Sequence, residues 1–286
     1  MKYDTAWQRA AIEQLNEILN KDSDAKALII TGSLAATDIQ ADRWSDVDAK
    51  IILADHAMNR YVQSTEWLSP FGQLIGMEKH ESELTQTLRV CMEGFHRFDL
   101  TFIPESSWQD LSRWEHNPVP PPHAVMWSKL PDIQAQIDSF SPQAEYQDVS
   151  SEEIEKIVDA FWFKASVAIA KVGRNDLLIG LHLALGLAQD CLVLQMLRRD
   201  REEKTSIHRI GGWGNDVTAH FELCHQEETD VEILNFIQRN CELFDDLTIE
   251  MLPTYSKRSF LLEPAIGLAR QSLRDTKHKS SASQQG

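Results

Sequence analysis

Apolar residues recur along this chain in two rhythms. Through the first half they come as short runs bounded by polar or turn residues: Ala27–Ile30, Ala49–Leu53, Leu74–Met77, Leu88–Met92, Arg97–Ile103 and Ala124–Trp127. Runs of this length, many of them rich in β-branched and aromatic side chains, predict strands, with Leu88–Met92 and Arg97–Ile103 paired around Glu93-Gly94. Between them Trp7, Ala11, Leu15, Ile18 and Leu19 keep helical spacing over residues 5–20, and residues 56–68 read as a second helix. The proline-rich stretch from His116 to His123 can continue neither helix nor central strand and reads as a stiff surface loop.

From Ser150 the rhythm becomes that of helices. Ser150 or Ser151 caps an acidic first turn, and Ile154, Val158, Phe161, Trp162, Ala165 and Ile169 form one stripe. A second long helix runs from Asp176 to about Arg199. In it His182 reads as a hydrogen-bonded core residue and Asp190 as a surface one. Trp213 among Gly211, Gly212 and Gly214 marks a loop that reads as a lid, residues 233–244 are again helical, and Pro264–Leu273 is a short last helix opened by proline. The class is α+β: a sheet with flanking helices over 1–147, an all-α bundle over 148–275, and a Ser/Gln-rich disordered tail at 276–286. The polar stretch from Ser139 to Asp148 marks the boundary.

The chemistry gathers in one stretch. Gly32-Ser33 ends the first strand, and Asp46 and Asp48 flank the start of the next. Side chains alternate along a strand, so both aspartates face the same way, and Lys50 shares that face. Two adjacent carboxylates repel unless something positive lies between them. A hard divalent cation such as Mg²⁺ meets that need and keeps positions open for phosphates. Lys50 either neutralises the pair or reaches a phosphate. Gly32 lets the backbone approach a phosphate closely, and Ser33 offers a hydroxyl. The small residues after Gly32-Ser33 open a short helix. Trp44 packs beneath the loop or stacks on a ligand. Asp99, within an apolar strand, is a third carboxylate whose burial is costly unless it is paired or metal-bound.

Composition narrows the partners. The 286 residues are 42% hydrophobic and 25% charged, as in ordinary globular proteins. A formal net charge of −16 argues against a broad nucleic-acid surface and accords with a cationic small molecule. Four scattered cysteines, Cys91, Cys191, Cys224 and Cys241, lack zinc-site spacing and suit a reducing, cytoplasmic setting. No stretch reaches membrane-spanning length. Monomer and homodimer both stay open.

Gly32-Ser33, a 12-residue loop from Leu34 to Ser45, Asp46-Val47-Asp48 on a strand and Asp99 on a later one resemble the polymerase-β-type nucleotidyltransferase superfamily. Within it, Trp67-Leu68-Ser69-Pro70-Phe71-Gly72, Met77-Glu78-Lys79 and Phe98–Pro104 look like the aminoglycoside 6-adenylyltransferases. The resemblance implies ATP as donor, Mg²⁺ held by Asp46, Asp48 and Asp99, phosphates positioned by Gly32 and Ser33, and transfer of AMP to a hydroxyl of a streptomycin-type aminoglycoside seated between the two domains. It leaves Asp99 as general base, second-metal ligand, or both. A lincosamide, another small molecule or a protein hydroxyl remain alternative acceptors, and a non-catalytic antitoxin-like relative would keep much of the pattern. Many members place Arg directly after Gly-Ser; here it is Leu34. That departure turns attention to Lys50, Lys164, Lys171 and Arg174 as cations for the triphosphate.

Overall fold

The fold comes from a computed structural model, which describes residues 5–36, 41–140, 146–173, 177–206, 213–217 and most of 256–274. The chain divides into two compact units, Met1–Gln143 with Gln238–Gly286, and Ala144–Ile237. The helix expected over 233–244, the tail expected at 276–286, Arg174 and the side chain of Lys171 lie outside the described residues. Among the described residues, no helix is long and apolar enough to cross a membrane.

In the first unit six strands form one mixed sheet: β1 (Ala25–Thr31), β2 (Val47–Leu53), β3 (Leu74–Glu81), β4 (Gln86–Met92), β5 (His96–Pro104) and β6 (His123–Ser128), in the order β3-β4-β5-β2-β1-β6. β2 and β5 run parallel, and the other neighbours are antiparallel. The expected hairpin of β4 and β5 forms around Glu93-Gly94, with Cys91 opposite Arg97.

Alternation sends Leu28 and Ile30, Val47, Ala49 and Ile51, Leu88 and Val90, and Phe98, Leu100 and Phe102 to one face, all buried in the main core. Helix α1 (Ala6–Lys21) lies on that core with Ala11, Leu15 and Leu19 inward. Thr5 makes no side-chain cap, and burying a leucine contributes about 1.5–3 kcal/mol, so packing rather than capping fixes α1.

The expected helix over 56–68 is broken. A 3₁₀ turn at Asp55–Ala57 leads into the short α2 (Met58–Gln63), and another 3₁₀ turn follows at Glu66–Phe71. The break falls at Ser64, which is extended and whose hydroxyl accepts the Glu66 amide at 3.2 Å. Local side-chain hydrogen bonds of this kind compete with helix continuation.

The opposite face carries a smaller core of Ala27, Ile29, Ile52, Ile103, Trp108, Val119, Ile133 and Ile137. Two helices that the sequence pattern did not announce help cover it, α3 (Glu105–Gln109) and α4 (Ile133–Ser139), joined by a 2.7 Å bond from Trp108 Nε1 to Gln136 Oε1. The proline-rich loop is not wholly at the surface, for Val119 is fully buried in this core.

The second unit contains α5 (Ser151–Gly173) packed against α6 (Leu177–Glu203). Ser150 begins α5 with a capping box: its hydroxyl accepts the Glu153 amide, and Glu153 Oε2 accepts the Ser150 amide. Within the expected α5 stripe, Val158 and Trp162 are exposed while Ile154 and Phe161 are half-buried, and Ile157 and Lys164, outside that stripe, are half-buried with them. The face follows Lys164, whose ammonium pairs with Asp190 of α6 at 2.6 Å. Asp190 is therefore half-buried rather than a surface residue, His182 is exposed rather than in a core, and Lys164 is engaged in the bundle. The guanidinium of Arg198 lies 5.5 Å from the Trp213 ring.

Candidate active site

Strand register lays the polar residues of the first unit in rows. His123, Thr31, Asp48, Asp99, Arg89 and Glu78 are successive cross-strand partners from β6 to β3. The next row holds Ile29, Lys50, Thr101 and Thr87, and beyond it Ala27, Ile52 and Ile103 enter the smaller core. This face thus grades from apolar to charged along the strands, so a ligand at the charged end meets a rigid sheet.

Gly32 follows Thr31 with φ +71°, and its amide donates to the Pro122 carbonyl at 3.1 Å. A Cβ placed there would lie 2.5 Å from Asp48 Oδ2, so only glycine lets this turn lie against that carboxylate. Ser33 sits in the single 3₁₀ turn Gly32–Leu34, where a short helix was expected. Leu34 packs against the main core. The side chain that replaces the family's arginine is thus turned to packing.

The loop leading to Asp46 is held by residues far away in sequence. Gln8, fully buried in α1, donates through Nε2 to the carbonyls of Asp42 at 2.8 Å and Ser45 at 3.0 Å. Trp7 Nε1 donates to the Arg43 carbonyl at 3.3 Å. From β5, Arg97 donates to the Trp44 carbonyl and lies over the Phe95 ring, which also meets Trp44 edge-on at 6.1 Å. Trp44 is therefore packed as part of this clasp. Replacing Gln8 with Leu should strip two half-buried carbonyls of their donor, costing about 1 kcal/mol or more, and displace Asp46. We expect a lower melting temperature together with turnover reduced by up to about 10²-fold. A Gln8→Leu protein that melts early yet turns over like the wild type would limit Gln8 to the fold.

Asp46 opens onto a cavity of about 470 Å³ whose lining includes Glu78, Arg89, Cys91, Arg97 and Asp99. Asp99 accepts from Arg89 Nε at 2.9 Å, and Arg89 also approaches Glu78 at 3.5 Å. That hydrogen bond and the Asp99 charge raise the Arg89 guanidinium above its ordinary pKa. Lys50 does not extend into open cleft: its ammonium donates to Thr101 Oγ1 at 3.0 Å. Burial lowers the Lys50 pKa, against the opposing charges of Asp99 and Asp48. Lys50 thus behaves as a counter-charge for the two aspartates.

The carboxylates suit a hard divalent cation in chemistry. Among the described residues, no three His, Cys, Asp or Glu side chains are drawn together as a metal set, and Asp99 is engaged by Arg89. Arg89, Arg97 and Gln8 escaped sequence reasoning. For Arg89 a signal existed: the hairpin register that sets Cys91 against Arg97 also sets Arg89 against Asp99.

Comparison with known proteins bears on this site. No curated protein matches the chain. Among solved structures, an aminoglycoside 6-adenyltransferase from Bacillus subtilis is similar at 12% identity, covering 79% of this chain and 95% of that one, with a TM-score of 0.29. Cid1, solved in complex with the UTP analogue UMPNPP, is similar at 18% identity over 35% of this chain, with a TM-score of 0.27; the chain spans 32% of Cid1. The model of the streptomycin adenylyltransferase family matches residues 8–207, a span that contains Gly32, Asp46, Asp48, Asp99 and the residues that clasp the loop. The chain belongs to the streptomycin adenylyltransferase family of nucleotidyltransferases.

Proposed function

We propose that this protein transfers AMP from ATP to a hydroxyl of a streptomycin-type aminoglycoside and releases pyrophosphate. The observation that carries the reading is the lateral pairing of Asp48 with Asp99 on parallel strands, beside a turn where the Asp48 carboxylate leaves Gly32 no room for a Cβ. Gly32 and Ser33 position the phosphates through backbone and hydroxyl. Asp99 accepts the proton of the acceptor hydroxyl, for which it needs only hydrogen-bond reach. Lys50 limits the repulsion between Asp48 and Asp99. Asp46, Asp48 and Asp99 would hold Mg²⁺, which when bound orients the triphosphate and offsets charge at the leaving oxygen. We read the C-terminal part of the chain as an all-α bundle, of which α5 and α6 are the main described part.

The acceptor class is supported by family membership and by charge. The chain carries −16, and three carboxylates, Asp46, Glu78 and Asp99, line the cavity with two arginines. Such a field draws in a polycation, and salt screens it. With streptomycin as acceptor, the apparent KM should rise with ionic strength and mass spectrometry should find an AMP adduct. An adduct on a lincosamide or a protein side chain, with none on any aminoglycoside, would overturn the acceptor and keep the chemistry.

A further inference from the structure

We propose that Arg89 is an exchange residue: it holds Asp99 while the site lacks nucleotide and passes to the triphosphate when nucleotide enters, so that it opposes metal alone and favours nucleotide. The inference rests on the reading of the site given above.

The register sets Arg89 directly opposite Asp99, and its Nε bonds Asp99 Oδ2 at 2.9 Å. The Arg89 side chain is 60% exposed, so this ion pair is weakly held and its breaking is not costly. A guanidinium has five N–H donors, and its planar fork matches phosphate oxygens. The other described cations near the cavity are committed elsewhere. Arg97 donates to the Trp44 carbonyl and covers Phe95, and Lys50 donates to Thr101. Leu34, where the family resemblance calls for arginine, is packed against the core. Arg89 is therefore the arginine on the cavity wall able to exchange a carboxylate for a phosphate.

The same placement makes Arg89 a competitor of a divalent cation, since both need the Asp99 carboxylate. A bound triphosphate removes that competition by giving Arg89 another anion. Metal and nucleotide would then bind in concert.

The test is a pair of titrations on the full-length protein, Mn²⁺ alone and a non-hydrolysable ATP analogue with Mg²⁺, each followed by calorimetry. Arg89→Met should bind Mn²⁺ alone roughly 2- to 5-fold more tightly, the expected gain from removing an exposed ion pair. It should bind the analogue about tenfold or more weakly, through loss of a hydrogen bond to a charged group. Arg89→Lys should recover part of the nucleotide affinity, as a point charge without the fork. Affinities that both weaken, or both stay at wild-type values, in Arg89→Met would overturn the exchange. Asp99→Asn separates this outcome from failure of the site itself. If it binds Mn²⁺ like the wild type, the metal reading is wrong whatever Arg89 does. If it loses Mn²⁺ while Arg89→Met changes nothing, the site stands and the exchange falls.

Discussion

Asp48→Asn is expected to abolish turnover while leaving the fold intact. The substitution keeps the shape of the side chain and removes its charge at the position paired with Asp99. Asp48 raises the Lys50 pKa and so favours its charged form, but that lysine keeps Asp99 as a second counter-charge, so the melting temperature should hardly move. Catalysis should respond very differently. Charge aimed at a reacting phosphoryl group acts where it develops in the transition state, and deleting one such preorganised group commonly costs roughly 10²-fold or more. Pyrophosphate release near the wild-type rate from a folded Asp48→Asn protein would remove Asp48 from the site.

Gly32→Ala should lose both stability and turnover, for two separable reasons. The left-handed backbone at φ +71° costs a side-chain-bearing residue about 1–2 kcal/mol, several degrees of melting temperature in a protein of this size. The added Cβ, 2.5 Å from Asp48 Oδ2, must also push that carboxylate aside. Gly72 supplies the matched control, because it too has positive φ, at +103°, and the atoms nearest its Cβ would belong to Glu93 rather than to a residue of the site. Gly72→Ala should melt early and keep its specific activity, whereas Gly32→Ala should melt early and lose it. Equal retention of activity in the two proteins would show that the Gly32 turn serves the fold alone.

The parts of this molecule that the sequence revealed are those governed by local alternation. Asp48, Lys50, Asp99 and Thr101 point away from the main core because Val47, Ala49, Leu100 and Phe102 point into it, and period-two alternation shows this without a structure. Residues defined by pairing were less visible. Arg89 acquires its meaning only once β4 lies on β5, and Gln8 only once α1 is laid under the loop 34 residues away. The break of the 56–68 segment turns on one serine hydroxyl, too small a feature for an apolar count to register. α3 and α4 are five and seven residues long, shorter than a helical period can establish, and tertiary burial of Trp108, Ile133 and Ile137 holds them. Lys164 read as a phosphate ligand because its partner Asp190 lies on the next helix, 26 residues on.

The central claim, that AMP leaves ATP for an acceptor hydroxyl at Asp48 and Asp99, is tested most directly with ATP labelled at the α-phosphate. The purified protein is incubated with labelled ATP, Mg²⁺ and streptomycin, and the label is followed into the antibiotic alongside pyrophosphate. Equal amounts of labelled antibiotic and pyrophosphate are expected from the wild type, with neither formed by Asp48→Asn. Label that stays in ATP with every acceptor offered, or a γ-phosphate that moves while the α-phosphate does not, would contradict the account.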